Sequence, residues 1–214
     1  MNRLISRFAL PWLLLASTSL AANDPPKPLP IGSLVLAKHP GIHFRIKNQD
    51  VEAIHCGVIE RVQKVQGEWL WLGRGWVQQH DVVSVPQAAK YFTVEIRRKP
   101  TAFAYVARAA ANGREGGFTS ETDNDIGQAL KLNSQFAPAH YLRGVAFREH
   151  HEYDSAIDAF DEAIRFDPTL ADAYNDRGRA RYEKEAAYKI PGRAWNEMRN
   201  MEKSLSDLGR AIQL

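Results

Sequence analysis

The chain has 214 residues, 44% of them apolar and 25% charged. This is an ordinary globular mixture, sized for one or two small domains, and it excludes a collagen-like or wholly disordered polypeptide. The net charge of +3 falls to +1 if Arg3 and Arg7 leave with an N-terminal address, so the basic balance offers no concentrated face for nucleic acid. Cys56 is the only cysteine; no internal disulfide can form, and the core rests on packing alone. The residue itself reads as a small buried hydrophobe in a strand.

Arg3 and Arg7 precede an apolar stretch, Phe8 to Ala16, that is too short to span a bilayer and has the form of an export signal. Ser19-Leu20-Ala21 places small residues where a signal peptidase reads them. Cleavage after Ala21 is expected, giving a periplasmic or extracellular protein with no membrane span; retention as an uncleaved anchor is the alternative. Residues 22–31 contain Asp24-Pro25-Pro26-Lys27-Pro28-Leu29-Pro30 and read as a stiff, extended linker.

Residues 32–86 have β texture. Leu34-Val35-Leu36-Ala37 is a short apolar run, and His39-Pro40-Gly41 marks a turn. The β-branched run Gly57 to Val65 is broken at Gln66-Gly67 and resumes in Glu68-Trp69-Leu70-Trp71-Leu72, a hairpin signal. Gly73 to Gly75 turns again before Trp76-Val77, and Val82-Val83-Ser84-Val85 closes the segment. Five or six short strands in so few residues predict a small barrel. Alternation puts Leu70 and Leu72 on one face and Trp69 and Trp71 on the other. The pattern Gly67-x-Trp69-x-Trp71, Gly75-Trp76-Val77, Asp81-Val82-Val83 resembles a bacterial SH3-like domain. The acidic, tyrosine-rich signature of polyproline-binding relatives is missing, so that activity is not implied. Trp69, Trp71 and Trp76 are candidates for an aromatic surface, with at least one of them expected in the core.

After Pro86 the period lengthens to that of a helix, and a longer repeat sets in. Pro100, Ser134 and Pro168 are 34 apart, as are Glu95, Ala129 and Ala163, and Phe92, Ile126 and Phe160. Ala104, Ala139 and Ala173 are each followed four residues later by an arginine: Arg108, Arg143 and Arg177. Small residues (Gly144, Ala156, Ala163), the fillers Phe147 and Phe160, and a terminating Asp167-Pro168 complete one copy at 137–170. This pattern resembles the tetratricopeptide repeat. Flanking copies are expected at 102–136, where Ala109 replaces the glycine, and at 171–214, with a 14-residue insertion set by the 48-residue interval from Ala163 to Ala211. Residues 87–100 read as a connecting helix. The insertion nearly preserves helical phase and predicts a lengthened hairpin carrying Tyr188, Trp195 and Met198.

The fold class expected is therefore mixed: a small all-β SH3-like barrel followed by an all-α tetratricopeptide solenoid of αα-hairpins. The resemblance implies a concave face at Tyr141, Val145, Arg148, Asn175, Arg179 and Tyr182, a polar, aromatic and cationic strip suited to a peptide or protein partner. His150-His151-Glu152-Tyr153-Asp154 falls on an inter-helix turn and reads as solvated. There is no HExxH, GxSxG or phosphate loop, so no catalytic role, cofactor or metal is expected. The predicted function is an exported, non-catalytic interaction scaffold. Cell-wall peptidoglycan or stem-peptide binding through the barrel is the alternative. With no polar capping helix after the last repeat, a homodimer through that repeat is a further expectation.

Overall fold

The computed structural model describes residues 29–47 and 49–187, together with 203, 206, 207, 209, 210, 212 and 213. The proposed export signal, most of the linker and the insertion with Tyr188, Trp195 and Met198 lie outside the described residues.

Eight short strands come first: β1 (Leu34–Ala37), β2 (His43–Ile46), β3 (Gln49–Ala53), β4 (Glu60–Arg61), β5 (Lys64–Gln66), β6 (Trp69–Trp71), β7 (Trp76–Gln78) and β8 (Val82–Ser84). They form two antiparallel sheets rather than one closed ladder, in the orders β4-β1-β8 and β3-β2-β7-β6-β5. The expected hairpin is present: Lys64 pairs with Trp71 and Gln66 with Trp69 around Gly67, which sits at φ +58°. The sequence runs understate the strand number because β2 is largely solvent-facing and β3, Gln49–Ala53, carries no apolar run.

The period of two then does something that a simple apolar run conceals. Along β1, Val35 and Ala37 point into a core made with Phe44, Val62, Leu70, Leu72 and Val77. Leu36, between them, points the other way, into the helical core. On β8, Val82 and Val83 divide in the same manner. These two strands are therefore buried on both faces and join strand packing to helix packing.

Six helices with full bounds follow among the described residues: α1 (Val85–Arg98), α2 (Ala102–Gly116), α3 (Ser120–Leu132), α4 (Ala137–Glu149), α5 (Tyr153–Phe166) and α6 (Ala171–Ala187). They lie in a solenoid-like succession of antiparallel neighbours. α1 starts directly from β8, with Pro86 in its first turn, and buries Val85, Ala88 and Phe92 along one stripe. Thr101 caps α2 by accepting a hydrogen bond from the Ala104 amide at 3.1 Å. α2 stops at Gly117, whose φ of +79° favours glycine.

Within α4–α5, Gly144 faces Phe160 so closely that a Cβ there would stand 2.6 Å from the ring. The small residue is thus a condition of the helix approach. In α2–α3 the corresponding pair is Ala109 and Ile126, both buried. The extra methyl on one helix is accompanied by a smaller side chain on the other, so the copy without glycine still fills this contact.

Two sequence expectations need correction. Cys56 is buried, but in the turn after β3 rather than in a strand; its thiol donates to the Phe103 carbonyl oxygen at 3.4 Å. Burial pushes the thiol pKa well up, which keeps it protonated and unreactive. None of the three tryptophans enters the core: Trp69, Trp71 and Trp76 are all half-buried on the outer side, and Leu70, Leu72 and Val77 fill the interior.

Candidate interaction cleft

The connection from β3 to β4, residues 54–59, leaves the strands and runs onto the helices. Gly57 has φ +78°, and a Cβ at this position would lie 2.9 Å from Val106 of α2. Val58 is buried with Ala163, Leu170 and Ala173 of the α5–α6 region. His55 Nδ1 is 3.4 Å from an Asp167 carboxylate oxygen, and Arg74 bridges Glu60 at 2.6 Å with Asp172 of α6 at 4.0 Å. The strand region is thereby seated against the first helices of successive hairpins, α2, α4 and α6.

Beside this seat lies a cleft of about 700 Å³. One wall carries Leu34, Gly57, Val58, Ile59 and Arg61, and the other carries residues of α2 and α4, with Asp172 from α6. Three of the sequence-predicted positions, Tyr141, Val145 and Arg148, line it. The other three lie elsewhere on α6: Asn175 is exposed, Tyr182 is 64% exposed, and Arg179 donates to Glu183 at 2.8 Å.

The cleft is polar at depth. The Tyr141 hydroxyl donates to Asp176 at 2.9 Å. Burial, reinforced by Asp176 and Asp172, raises the Tyr141 pKa well above the phenol range. Burial also raises Asp176 above the usual aspartate range, against the lowering effects of the Tyr141 hydrogen bond and Arg148. Arg148 is buried, paired with Glu149 at 2.8 Å and Glu183 at 3.5 Å. Its Nε and Asp172 Oδ2 are buried without a hydrogen-bond partner among the described residues. Such orphaned polar atoms are costly unless something pairs with them.

Two other predicted features are now placed. On the strand region, Trp71 and Trp76 meet edge to face with centroids 5.4 Å apart, and the Arg45 guanidinium lies 5.4 Å from the Trp69 ring. A smaller hollow of about 260 Å³ adjoins Trp69, His43 and Asp50. In the α4–α5 turn, His150 and His151 face different partners: the Phe118 carbonyl oxygen at 3.1 Å and the Tyr153 hydroxyl at 2.9 Å. Among the described residues no group of three His, Cys, Asp or Glu side chains is placed to hold a metal ion, and no helix is long and apolar enough to cross a membrane.

Sequence reasoning missed the β3–β4 connection as a wall of the cleft, because its contacts are all distant in the chain. It also missed Asp176. An acidic residue five positions into α6 gives no local sign that a tyrosine on α4 will reach it.

A protein-family model described as a TPR repeat matches residues 146–184, from the second half of α4 into α6. No curated protein matches the chain in sequence. Among solved structures, two described as crystal structures of MamA are similar at 21% and 22% identity, each covering 60% of this chain and 67% of the other, with a TM-score of 0.46. A third, described as MamA MSR-1 C2, is 14% identical over 60% of this chain and 66% of the other, with a TM-score of 0.41. At these scores they are partial likenesses.

Proposed function

We propose that the chain is a non-catalytic interaction scaffold, exported from the cytoplasm, that holds a peptide segment of a protein partner in the cleft between its strand region and helices α2, α4 and α6. The observation that carries this reading is the pair of buried polar atoms at the cleft that lack a hydrogen bond among the described residues, Arg148 Nε and Asp172 Oδ2, the latter meeting only the Arg74 guanidinium at 4.0 Å. A peptide backbone and its polar side chains supply both a donor and an acceptor for such atoms, and the apolar wall from Leu34 to Ile59 suits its side chains. Val145→Trp narrows the cleft and Arg61→Glu reverses an exposed charge at its rim. Both variants are expected to retain the wild-type melting temperature within a few degrees and to lose partners co-purified from an envelope extract. Wild-type recovery by both would contradict the assignment.

A second reading keeps the strand region as the binding element, for cell-wall glycan or stem peptides. It is favoured by the outward-facing Trp69, Trp71 and Trp76, since sugars and peptides stack on such aromatic faces. Co-sedimentation of the whole protein with purified cell wall, lost in Trp69→Ala, supports it; equal sedimentation of the variant removes it.

A further inference from the structure

The three arginines spaced along the repeats occupy equivalent places, and their partners differ in a telling way. Arg108 of α2 reaches Asp125 of α3 with two hydrogen bonds, 2.7 Å from Nε and 2.6 Å from Nη2, and Thr93 of α1 at 3.2 Å. Arg177 of α6 reaches Asp207, 3.0 Å from Nε, and also Asp161 of α5. Counting along the repeat, Thr93, Gly127 and Asp161 are equivalent at intervals of 34. Asp125 and Ala159 are likewise 34 apart, and Asp207 follows Ala159 by the same 48 that separates Ala163 from Ala211. Every helix bearing the arginine is thus flanked by two partner positions, one on the preceding hairpin and one on its own.

Arg143 of α4 is the exception. Its two partner positions are Gly127 and Ala159, neither of which has a polar side chain. Its Nε is buried and lacks a hydrogen-bond partner among the described residues. A Cβ added at Gly127 would meet nothing within 4 Å, so there is open room at the repeat position that Asp161 occupies beside Arg177. The nearby Glu162 feels both His140 and Arg143, but accepts its hydrogen bond from Arg165.

We infer that Arg143, between Gly127 and Ala159, is a binding site for a carboxylate supplied by a protein partner. An aspartate fills the same repeat position twice in this chain, where Arg108 and Arg177 each hold it with two hydrogen bonds, so an arginine at this place in the repeat suits a planar, two-point carboxylate. This site is separate from the cleft and stands whether or not the cleft binds a peptide. It would give a partner a second, charge-specific anchor on the helices.

The test uses the whole protein with its arginine Nε–H groups followed by NMR, the Arg143 signal being identified by its loss in Arg143→Met. The probes are N-acetyl-aspartate α-amide for a side-chain carboxylate, N-acetyl-alanine for a chain terminus, and inorganic phosphate. A saturating shift of the Arg143 signal with either carboxylate supports the site, and the responding probe identifies the source. Ala159→Asp and Gly127→Asp supply an internal carboxylate. Each is expected to move that signal without probe, to abolish its response, and to raise the melting temperature in the wild-type background but not beside Arg143→Met. No shift with either carboxylate, a shift with phosphate alone, or an undiminished response in both aspartate variants would overturn the inference.

Discussion

In the hairpin α2–α3, Arg108 spans to a 3%-exposed Asp125 while Ala109 and Ile126 pack beside it. In α4–α5, Ala159 stands at the repeat position of that aspartate, and the helices are instead drawn together at Gly144 against Phe160. One hairpin combines a buried ion pair with moderate packing; the other gives up the ion pair and packs more closely. The same backbone plan is therefore held by different forces in neighbouring copies. The copy that relies on packing leaves a charged group available. A buried pair mainly orients its elements, since much of its attraction is offset by desolvation, whereas close packing contributes through dispersion and burial at every contact.

The largest expected effect that tests this contrast is Phe160→Ala. It should cost about 3–5 kcal/mol, read by urea unfolding; a loss below that of Ile126→Ala would break the distinction. Next is the polar side. Asp125→Ala strands the half-buried Arg108 and should cost about 3 kcal/mol, while Arg143→Met, which removes a guanidinium already without its carboxylate, should be close to neutral. Equal losses would mean that Arg143 is partnered in solution. Third, Gly144→Ala should cost about 1–3 kcal/mol through overpacking. Adding Phe160→Ile should recover part of that loss, because it recreates the Ala109–Ile126 arrangement. No recovery would show that the helix spacing is fixed elsewhere.

The smallest effect concerns the cleft. Burial raises the Asp176 pKa in the folded chain, so the folded state holds this proton to higher pH than the unfolded state. Stability from this group is full below the ordinary aspartate range and falls as pH rises through the raised value. Asp176→Asn keeps an acceptor for the Tyr141 hydroxyl and cannot ionise. Its melting temperature relative to wild type should therefore rise with pH across the range just above the ordinary aspartate value. A difference independent of pH would contradict the burial of that carboxyl.

Much of the helical fold was legible because its signals are local or periodic. Pro, Gly and small residues recur at the repeat length, and each marks a turn or a close approach, as Gly144 does. The Leu70–Leu72 face was legible from alternation alone. The destination of the tryptophans was not: a barrel-like pattern says that one face is buried without saying which, and the smaller Leu and Val side chains won the interior. At the cleft, Tyr141, Val145 and Arg148 were found by position in the repeat. Their place across a cleft from Gly57, Val58 and Ile59 was not foreseeable, because nothing in Cys56-Gly57-Val58 predicts which distant helices it meets. The arginine spacing was visible in the sequence. The alternation of aspartate with glycine and alanine around it acquires meaning only when Asp125 and Asp207 are seen holding two of the three.

The most direct test of the cleft as the partner site is photo-crosslinking in cells of the producing organism, with benzoyl-phenylalanine placed at Val145 or, as control, at the exposed Val94 of α1. The account predicts a discrete protein adduct from Val145 that is absent from Val94 and lost when Arg61→Glu is added. An adduct from Val94 and none from Val145, or no adduct from Val145 in cells that make the folded protein, would contradict it.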